Sequence, residues 1–382
     1  MFSNTEPRGL SRVVVLVEDP GAVNFLGPLV DRLVGGGIST VVLGLGVGAQ
    51  MVRERGHAVI APPDPLQTVE FIRLRRPSVV VVGTSENPDT PAFTLMDAAR
   101  AAGVPTVGVV DARVNAAFRF RGYSQNPLAH APDWLVVPDE STAVAFRSLG
   151  FARHRIFVVE NPARDLARRR GRAMRDRVPT AHEAPRSGAG QVRVIFVAEV
   201  SDGLDAGQYQ RSGDYTLHGR GGSSARTAVV IEELLDACVE LRRHERLQML
   251  LILRLHPKQR MDDLGPLCEE FDEVSAGGDP LELVATADLV VGMTSMLLVQ
   301  AHDIGVPCLS VLPRDCEKAW LPEVESGSIP SVTTRAAIIS EIRRLLTGSR
   351  QEQTPRGTAA SDVDPVEEMF ECLVGVAKGC PQ

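Results

Sequence analysis

Short runs of Val, Ile and Leu alternate with amphipathic stretches along most of the chain. This is the pattern of βα units wound around parallel sheets, whose strands are apolar on both faces. In the first half the strand candidates are "RVVVLV" at 12–17, "STVVL" at 39–43, "SVVVV" at 78–82, "TVGVV" at 106–110, "WLVV" at 134–137 and "IFVV" at 156–159. Helices are expected between them, for instance over 21–35 and 90–102, the second entered through the turn-and-cap signal "NPDTP". The alternation breaks at "LARRRGRAMRDRVPTAHEAPRSGAGQ", residues 166–191, which is rich in Arg, Pro, Gly and Ala and holds no strand pattern. A linker is expected there, its arginines on a solvated helix or against an anionic surface.

A second βα series follows. Its strands are "VRVIFVA" at 192–198, "MLLILRL" at 249–255, "DLVVG" at 288–292 and "PCLSVL" at 307–312, with a long amphipathic helix over about 225–244. Residues 349–363 are polar and expected to be loose. After them "DPVEEMFECLVGVAK" carries an Asp364 cap, Pro365 at the first helical position and one apolar face, a final helix that needs a partner. The division expected is therefore 1–165 as an N-terminal Rossmann-like domain on the acceptor side and 166–191 as linker. Residues 192–348 form a C-terminal Rossmann-like domain for a nucleotide donor, and 349–382 a loose segment with a returning helix. Two doubly wound halves facing a cleft, with a late returning helix, make the α/β architecture called GT-B.

Composition narrows the function. The 382 residues are 44% hydrophobic and 23% charged, as in globular proteins, and suffice for two α/β cores. A net charge of −7 argues against a nucleic-acid binder, and an aromatic content of 4% against widespread stacking platforms. None of the six cysteines forms a Cys-x-x-Cys pair or a zinc spacing with His, so reduced thiols are expected. No run approaches 18 apolar residues, "RVVVLV" is too short for a signal peptide, and Cys380 in "GCPQ" stands one residue too late for prenylation. A cytoplasmic protein without a membrane span is expected, with a homo-oligomer left open.

Ligands of doubly wound sheets bind beyond the carboxyl ends of the strands, so the polar residues there are the candidates. The first strand ends in "VEDPGAVN", with Glu18, Asp19 and Asn24; Asp19 either serves as a base for an acceptor hydroxyl or simply caps the next helix. "GTSENPD" brings Glu86 to the next edge position, and "DARVNAAFRFRGY" accumulates Asp111, Arg113, Asn115, Arg119 and Arg121. In the second half His256 follows its strand directly. Pro257 stops the ladder and holds His256 extended, between Arg254 and Lys258. Such a histidine either satisfies a backbone carbonyl or donates to a phosphate and protonates a leaving group. The strand ending at Gly292 runs through Thr294 and Ser295 into a helix that starts near Met296. Hydroxyls and amides at a helix start suit an anion, although Ser295 also reads as an ordinary cap.

"LRLHPK" followed by "ADLVVGMTSMLLVQAHDIGVP" resembles the nucleotide-binding half of GT-B enzymes that make bacterial surface carbohydrates. The likeness is to the bacterial sialyltransferases and polysialyltransferases, the Kdo transferases and the CDP-glycerol glycerophosphotransferases, which carry an HP motif and a Ser/Thr-Ser motif and use cytidine-nucleotide donors. It covers about 60 residues. The resemblance implies that His256 contacts the donor phosphate and assists its departure, and that Thr294 and Ser295 bind phosphate oxygens. "IFVVENPARD" is similar to the Gly-Asn-Pro segment at the interdomain hinge, with Glu160 in place of glycine. Two departures stand out. The sialyltransferase acidic motif is approached only by "EDPG" at 18–21 and "SDG" at 201–203, and the ribose-binding glutamate five residues after the serine is Gln300 here.

The connection 198–230 is long for a βα loop, and long loops are usually functional, a flexible insertion being the plain alternative. Its "GRGGSS" end places Gly222 and Ser223 before a helix, where amides suit a phosphate. The function expected is a metal-independent glycosyltransferase that moves a CMP-linked acidic sugar to a carbohydrate or small-molecule acceptor, with no cofactor besides the nucleotide-sugar. His256 and a carboxylate, Asp19 or Asp111, would be catalytic; Arg254, Lys258, Thr294, Ser295, Met296, Gln300, Gly222 and Ser223 would hold the donor; Glu18, Asn24, Glu86, Arg113 and Asn115 would line the acceptor side. The alternatives are a CDP-glycerol-type transferase, a sugar-nucleotide 2-epimerase (whose Ser-Gly-Gly run and paired glutamates "TSMLLVQ" lacks) and a catalytically silent binding protein on the same fold.

Overall fold

The computed structural model describes residues 9–175, 191–200, 211–223, 225–245, 247–347 and 363–379. The chain divides into two compact units, Met1–Asp165 with Ser361–Gln382, and Leu166–Ala360.

The first unit is built from β1 (Arg12–Val17), α1 (Pro20–Gly35), β2 (Ser39–Gly44), α2 (Gly46–Glu54), β3 (Val59–Ile60), α3 (Thr68–Arg75), β4 (Val79–Gly83), α4 (Pro91–Ala101), β5 (Thr106–Val109), β6 (Trp134–Val137), α5 (Glu140–Ser148) and β7 (Ile156–Val158), after which α6 (Pro162–Arg175) leaves it. The strands form one parallel sheet in the order β3-β2-β1-β4-β5-β6-β7. In β1, Val13, Val15 and Val17 pack on one face with Phe25, Leu26 and Leu29 of α1. Val14 and Leu16 pack on the other with Leu95, Met96 and Ala99 of α4. Both faces are dry, which is why the strand reads as an unbroken apolar run.

The second unit contains β8 (Val192–Val197), α7 (Arg226–Glu245), β9 (Met249–Arg254), α8 (Met261–Leu264), β10 (Glu273–Ser275), α9 (Pro280–Ala285), β11 (Leu289–Gly292), α10 (Met296–Asp303), β12 (Cys308–Val311), α11 (Pro322–Glu325), β13 (Ser331–Val332) and α12 (Arg335–Thr347). Its sheet is also parallel, in the order β10-β9-β8-β11-β12-β13. In each sheet the order reverses beside the unit's first strand, between β1 and β4 and between β8 and β11. These are the switch points at which the connections diverge to opposite faces and a crevice opens.

The returning helix α13 (Pro365–Ala377) belongs to the first unit. Asp364 caps it, accepting from the Val366 amide at 2.9 Å. Its apolar face joins the core beside α1, and Arg32 of α1 pairs with Glu367 and lies 4.3 Å over the Phe370 ring.

Three short strands, β3, β10 and β13, were not expected from the pattern. The segment 166–175, expected as linker, is the second part of α6. Arg175 of that helix donates to the carbonyls of Ala285 and Ala287 at 3.0 and 2.7 Å, and Arg170 pairs with Asp279 at 2.8 Å. Part of the arginine cluster therefore holds the helix against the second unit. The remainder of the expected linker, 176–190, and the loose segment up to 362 lie outside the described residues. Among those described, no helix is long and apolar enough to cross a membrane.

Candidate functional site

In the second unit the candidates gather at the carboxyl edge of the sheet. β9 delivers His256 to that edge, half-buried, in a turn that closes on itself. The Gln259 amide donates to the His256 carbonyl at 2.8 Å, and the His256 amide donates back to Gln259 Oε1 at 3.1 Å. The imidazole Nδ1 accepts from the Lys258 amide at 3.1 Å. A neutral ring held this way carries its proton on Nε2. Lys258 is exposed on the same turn.

β11 and α10 supply the second element. Ser295 occupies the cap position of α10, and its Oγ accepts from the Leu297 amide at 3.2 Å. Because Oγ is the acceptor there, the hydroxyl proton remains a donor. Met296 and Gln300 follow on α10, both half-buried. Thr294 is occupied differently from the expectation. Its amide donates to Glu199 Oε1 and its hydroxyl to Glu199 Oε2, the latter at 2.9 Å.

Glu199 stands just beyond β8, the strand between β9 and β11, and it joins the two motifs. Its backbone carbonyl accepts from Gln259 Nε2 at 2.9 Å and from the Thr227 hydroxyl at 2.7 Å. Its carboxylate takes Thr294 and, at 3.0 Å, Arg226 Nη1. Arg226 is 1% exposed and bonds through Nε to Glu317 Oε2 at 2.8 Å; Glu317 is fully buried and also accepts from Arg314 Nε at 2.7 Å. Trp320 covers both guanidinium groups, 5.2 and 5.7 Å away. Sequence reading missed this network, although it had two signals. Glu199 follows a strand as Glu18 does, and an arginine in a helix first turn opposes the helix dipole unless a specific acid holds it.

Two donor-side candidates have partners within the chain. Arg254 is buried and faces the 275–278 turn, donating to Ser275 Oγ at 2.8 Å and to the carbonyls of Gly277 and Gly278. Burial pushes its guanidinium down from the usual value. An arginine shared among three acceptors of its own chain braces that turn. The "HGRGGS" turn is likewise occupied. The amides of His218 and Gly219 donate to Glu233 at 3.1 and 2.8 Å. The Arg220 amide and the Ser223 hydroxyl donate to Glu232, both at 2.6 Å. The amides of His218, Gly219 and Arg220 and the Ser223 hydroxyl thus bind two carboxylates of α7, and Gly222 lies exposed beside them. The loop before this turn is a strap. Tyr215 is buried against Arg314, and Thr216 Oγ1 donates to the carbonyls of Pro313 and Thr333 at 2.9 and 2.7 Å.

In the first unit the carboxyl ends of β1, β4 and β5 bring together Asp19, Glu86, Asp111 and Asn115, with Arg119 beneath. Asn115 adopts the left-handed conformation at φ 59°, which Asn tolerates better than most residues. Its Nδ2 lies 2.9 Å from both Glu86 oxygens. Arg119, 6% exposed, places Nη1 3.4 Å from Asp111 Oδ1 and Nη2 3.8 Å from Glu86 Oε1. Burial holds the Glu86 carboxyl above the usual range; Arg119 and Asn115 oppose that shift, and the charges of Asp111 and Asp19 add to it. Asp111 Oδ1 is buried and has no hydrogen-bond partner among the described residues. Asp19 occupies the cap position of α1 without a side-chain cap bond, so the plain capping alternative is not realised. Glu18 turns instead to Thr90, whose hydroxyl donates to it while capping α4. Asn24 and Arg113 are half-buried.

Gly21 makes this arrangement possible. A β-carbon there would stand 1.8 Å from Asp111 Oδ2. Gly21→Ala is therefore expected to leave α1 helical while pushing the carboxylate away. A misplacement of about 1 Å costs about 10²-fold in rate, so turnover assays on a variant of unchanged helicity check the assignment.

Cysteine chemistry does not enter. The five described cysteines are unpaired, and burial pushes the Cys238 and Cys372 thiols up to about 12. Among the described residues no group of three or more His, Cys, Asp or Glu side chains is arranged to hold a metal ion.

No protein-family model matches the chain, and none of the curated proteins is similar to it. Solved structures are. Staphylococcus aureus MnaA in complex with UDP superposes with a TM-score of 0.64 at 12% identity, over 97% of each chain. The Methanocaldococcus jannaschii UDP-GlcNAc 2-epimerase bound to UDP-GlcNAc and UDP gives 0.61 at 14%, over 95% of this chain and 99% of its own. Acinetobacter baumannii MurG gives 0.54 at 12%, over 95% and 99%. At such identities the likeness concerns the fold, and the conclusion it supports is that this chain consists of two parallel-sheet α/β domains of the GT-B type.

Proposed function

We propose that this protein is a glycosyltransferase that draws its sugar from a nucleotide, without a metal ion. The observation that carries the reading is the acid cluster of the first unit. A carboxylate at a strand end, kept charged by a buried arginine 3.4 Å from one of its oxygens, is suited to take the proton of an acceptor hydroxyl. Asp111 is the base in this reading, Asn115 and Arg119 steady its surroundings, and Asp19, Glu86, Asn24 and Arg113 meet the acceptor. In the second unit His256 donates through Nε2 to the donor phosphate and assists its departure. Ser295 and the amide of Met296 receive phosphate oxygens at the start of α10, Gln300 accepts from the ribose, and Lys258 neutralises charge. The donor base is taken as uridine rather than the cytidine of the sequence resemblance, because the similar structures named above include complexes with UDP and UDP-GlcNAc.

A second reading, 2-epimerisation of a nucleotide-sugar, is favoured by one observation. Glu86 holds its proton to higher pH than an ordinary glutamate while Asp111 faces Arg119. An acid beside a base suits removal and return of a proton at carbon.

Both readings are tested with UDP-GlcNAc in D₂O. Release of UDP that rises with added acceptor, without deuterium at C-2 of the sugar, supports transfer. Deuterium at C-2 with formation of the C-2 epimer moves the assignment to epimerisation. A thermal-shift series with UMP, UDP, CMP, CDP, GDP and dTDP accompanies it. A ligand at a hundredfold excess over its Kd stabilises by about 2.7 kcal/mol, so a uridine preference is readily seen, a cytidine preference restores the sequence expectation, and no shift with any of them overturns both readings.

A further inference from the structure

A doubly wound sheet takes its ligand in the crevice at the switch point. In the second unit that crevice, between β8 and β11, is crossed by a side chain of the protein itself. The Glu199 carboxylate accepts from the Thr294 amide, from the Thr294 hydroxyl at 2.9 Å and from Arg226 Nη1 at 3.0 Å. These three donors make a receptor for a compact anion. An amide and a hydroxyl stand on one side, and on the other is a guanidinium that cannot retreat, being 1% exposed and bonded to the buried Glu317. Carboxylate and phosphate oxygens meet such donors in the same way, through short charge-assisted bonds.

Charge sharpens the point. Arg226 stands between two acids, Glu199 and Glu317, and shares Glu317 with Arg314, which also lies 3.9 Å from the exposed Asp214. With Glu199 withdrawn, Arg226 Nη1 loses its acid and the guanidinium keeps only Glu317, which it shares with Arg314. Of the two acids only Glu199 has room to leave, since its side chain is 16% exposed and that of Glu317 is 0%. The residue also lies two positions beyond the end of β8, outside the ladder that fixes the strand.

Resting on the reading of this edge as a nucleotide-phosphate site, we infer that Glu199 is a resident competitor for the donor phosphate. A phosphate oxygen takes the Thr294 amide, the Thr294 hydroxyl and Arg226 Nη1 as the Glu199 carboxylate swings off them. No covalent bond changes. The consequence is selectivity: an anion alone must displace an intramolecular carboxylate, whereas a nucleotide brings further contacts that offset the displacement. The opposing view makes Glu199 a permanent brace for the Thr294 turn, and the two differ in sign. Removing a competitor tightens anion binding; removing a brace weakens it.

Calorimetric titration of the full-length protein with pyrophosphate separates them. Glu199→Gln keeps the length and removes the charge. It is expected to bind pyrophosphate at least fivefold more tightly than the unaltered protein, and Glu199→Gln combined with Thr294→Val is expected to lose that gain. Equal or weaker binding by Glu199→Gln overturns the proposal, as does the absence of pyrophosphate binding in both proteins. Should Glu199→Gln fail to fold, Glu199→Asp answers the same question. It is one methylene too short to span Thr294 and Arg226 together, so a gain in the same direction is expected and its absence overturns the proposal. UDP is titrated in parallel. UDP binding without a gain in Glu199→Gln rejects the competitor and leaves the nucleotide reading standing. A pyrophosphate gain without UDP binding rejects the nucleotide reading alone.

Discussion

Asp111→Asn is expected to lower turnover by about 10²–10⁴-fold, the range for loss of a positioned general base, while the protein stays folded. Asparagine has the shape of aspartate, so the side chain still fits over Gly21 and beside Arg119. Substitution removes the charge that faces Arg119 Nη1 at 3.4 Å, while Arg119 keeps Glu86 at 3.8 Å. A lower melting temperature is therefore expected beside the loss of turnover, and the rate is read well below it. The loss is expected in kcat with KM nearly unchanged, since a base acts on the proton in the transition state and not on ground-state binding. A variant that keeps activity to within threefold would remove Asp111 from the mechanism. Asp19 and Glu86, the other acids of the cluster, would then be substituted in turn.

The second large effect concerns stability. Arg226→Met is expected to cost the second domain about 3–5 kcal/mol, the range for removing one partner of a buried ion pair. Glu317, fully buried, would keep only Arg314, and Glu199 would keep only Thr294. The chain carries two tryptophans, Trp134 on β6 of the first domain and Trp320 over Arg226 in the second. Urea unfolding followed by fluorescence in a Trp134→Phe background therefore reports the second domain by itself. Its midpoint should fall sharply. Far-ultraviolet circular dichroism should show the first domain unfolding as before, because domains of one chain need not unfold together. Adding Glu317→Leu to Arg226→Met should recover part of the loss, since the stranded buried charge is then gone. A cost below about 1 kcal/mol would show that water reaches the cluster.

The main strands and the long helices were legible because they obey local rules. "RVVVLV", "SVVVV" and "MLLILR" are apolar throughout, as strands covered on both faces must be, and the structure begins and ends them within a residue or two. The caps at Thr90, Ser295 and Asp364 were readable for the same reason, each bonding an amide two residues on. The edge strands β3, β10 and β13 were not. Two or three residues long, they pair on one side only and need no apolar run, so they leave almost no periodic trace. The helix through 166–175 escaped for a different reason. Its arginines look like solvated charge in the sequence, and the carbonyls of Ala285 and Ala287 that receive Arg175 lie more than a hundred residues away.

The candidate sites divide along the same line. That His256 ends a strand behind a proline, and that Asp111 and Glu86 end theirs, follows from hydrophobic period and chain order alone. Which of those groups meet depends on strand order, and strand order is set by long-range pairing. The crossover that inserts β8 between β9 and β11 puts Glu199 where the two motifs join. The one between β1 and β4 sets Asp19 near Glu86 and Asp111. Hydrogen-bond supply is equally non-local: Arg254 and the Ser223 hydroxyl look suited to a phosphate until the fold brings them Gly277 and Glu232. Local chemistry settles what each side chain can offer; only close packing across the sheet settles which offers its own chain has already taken up.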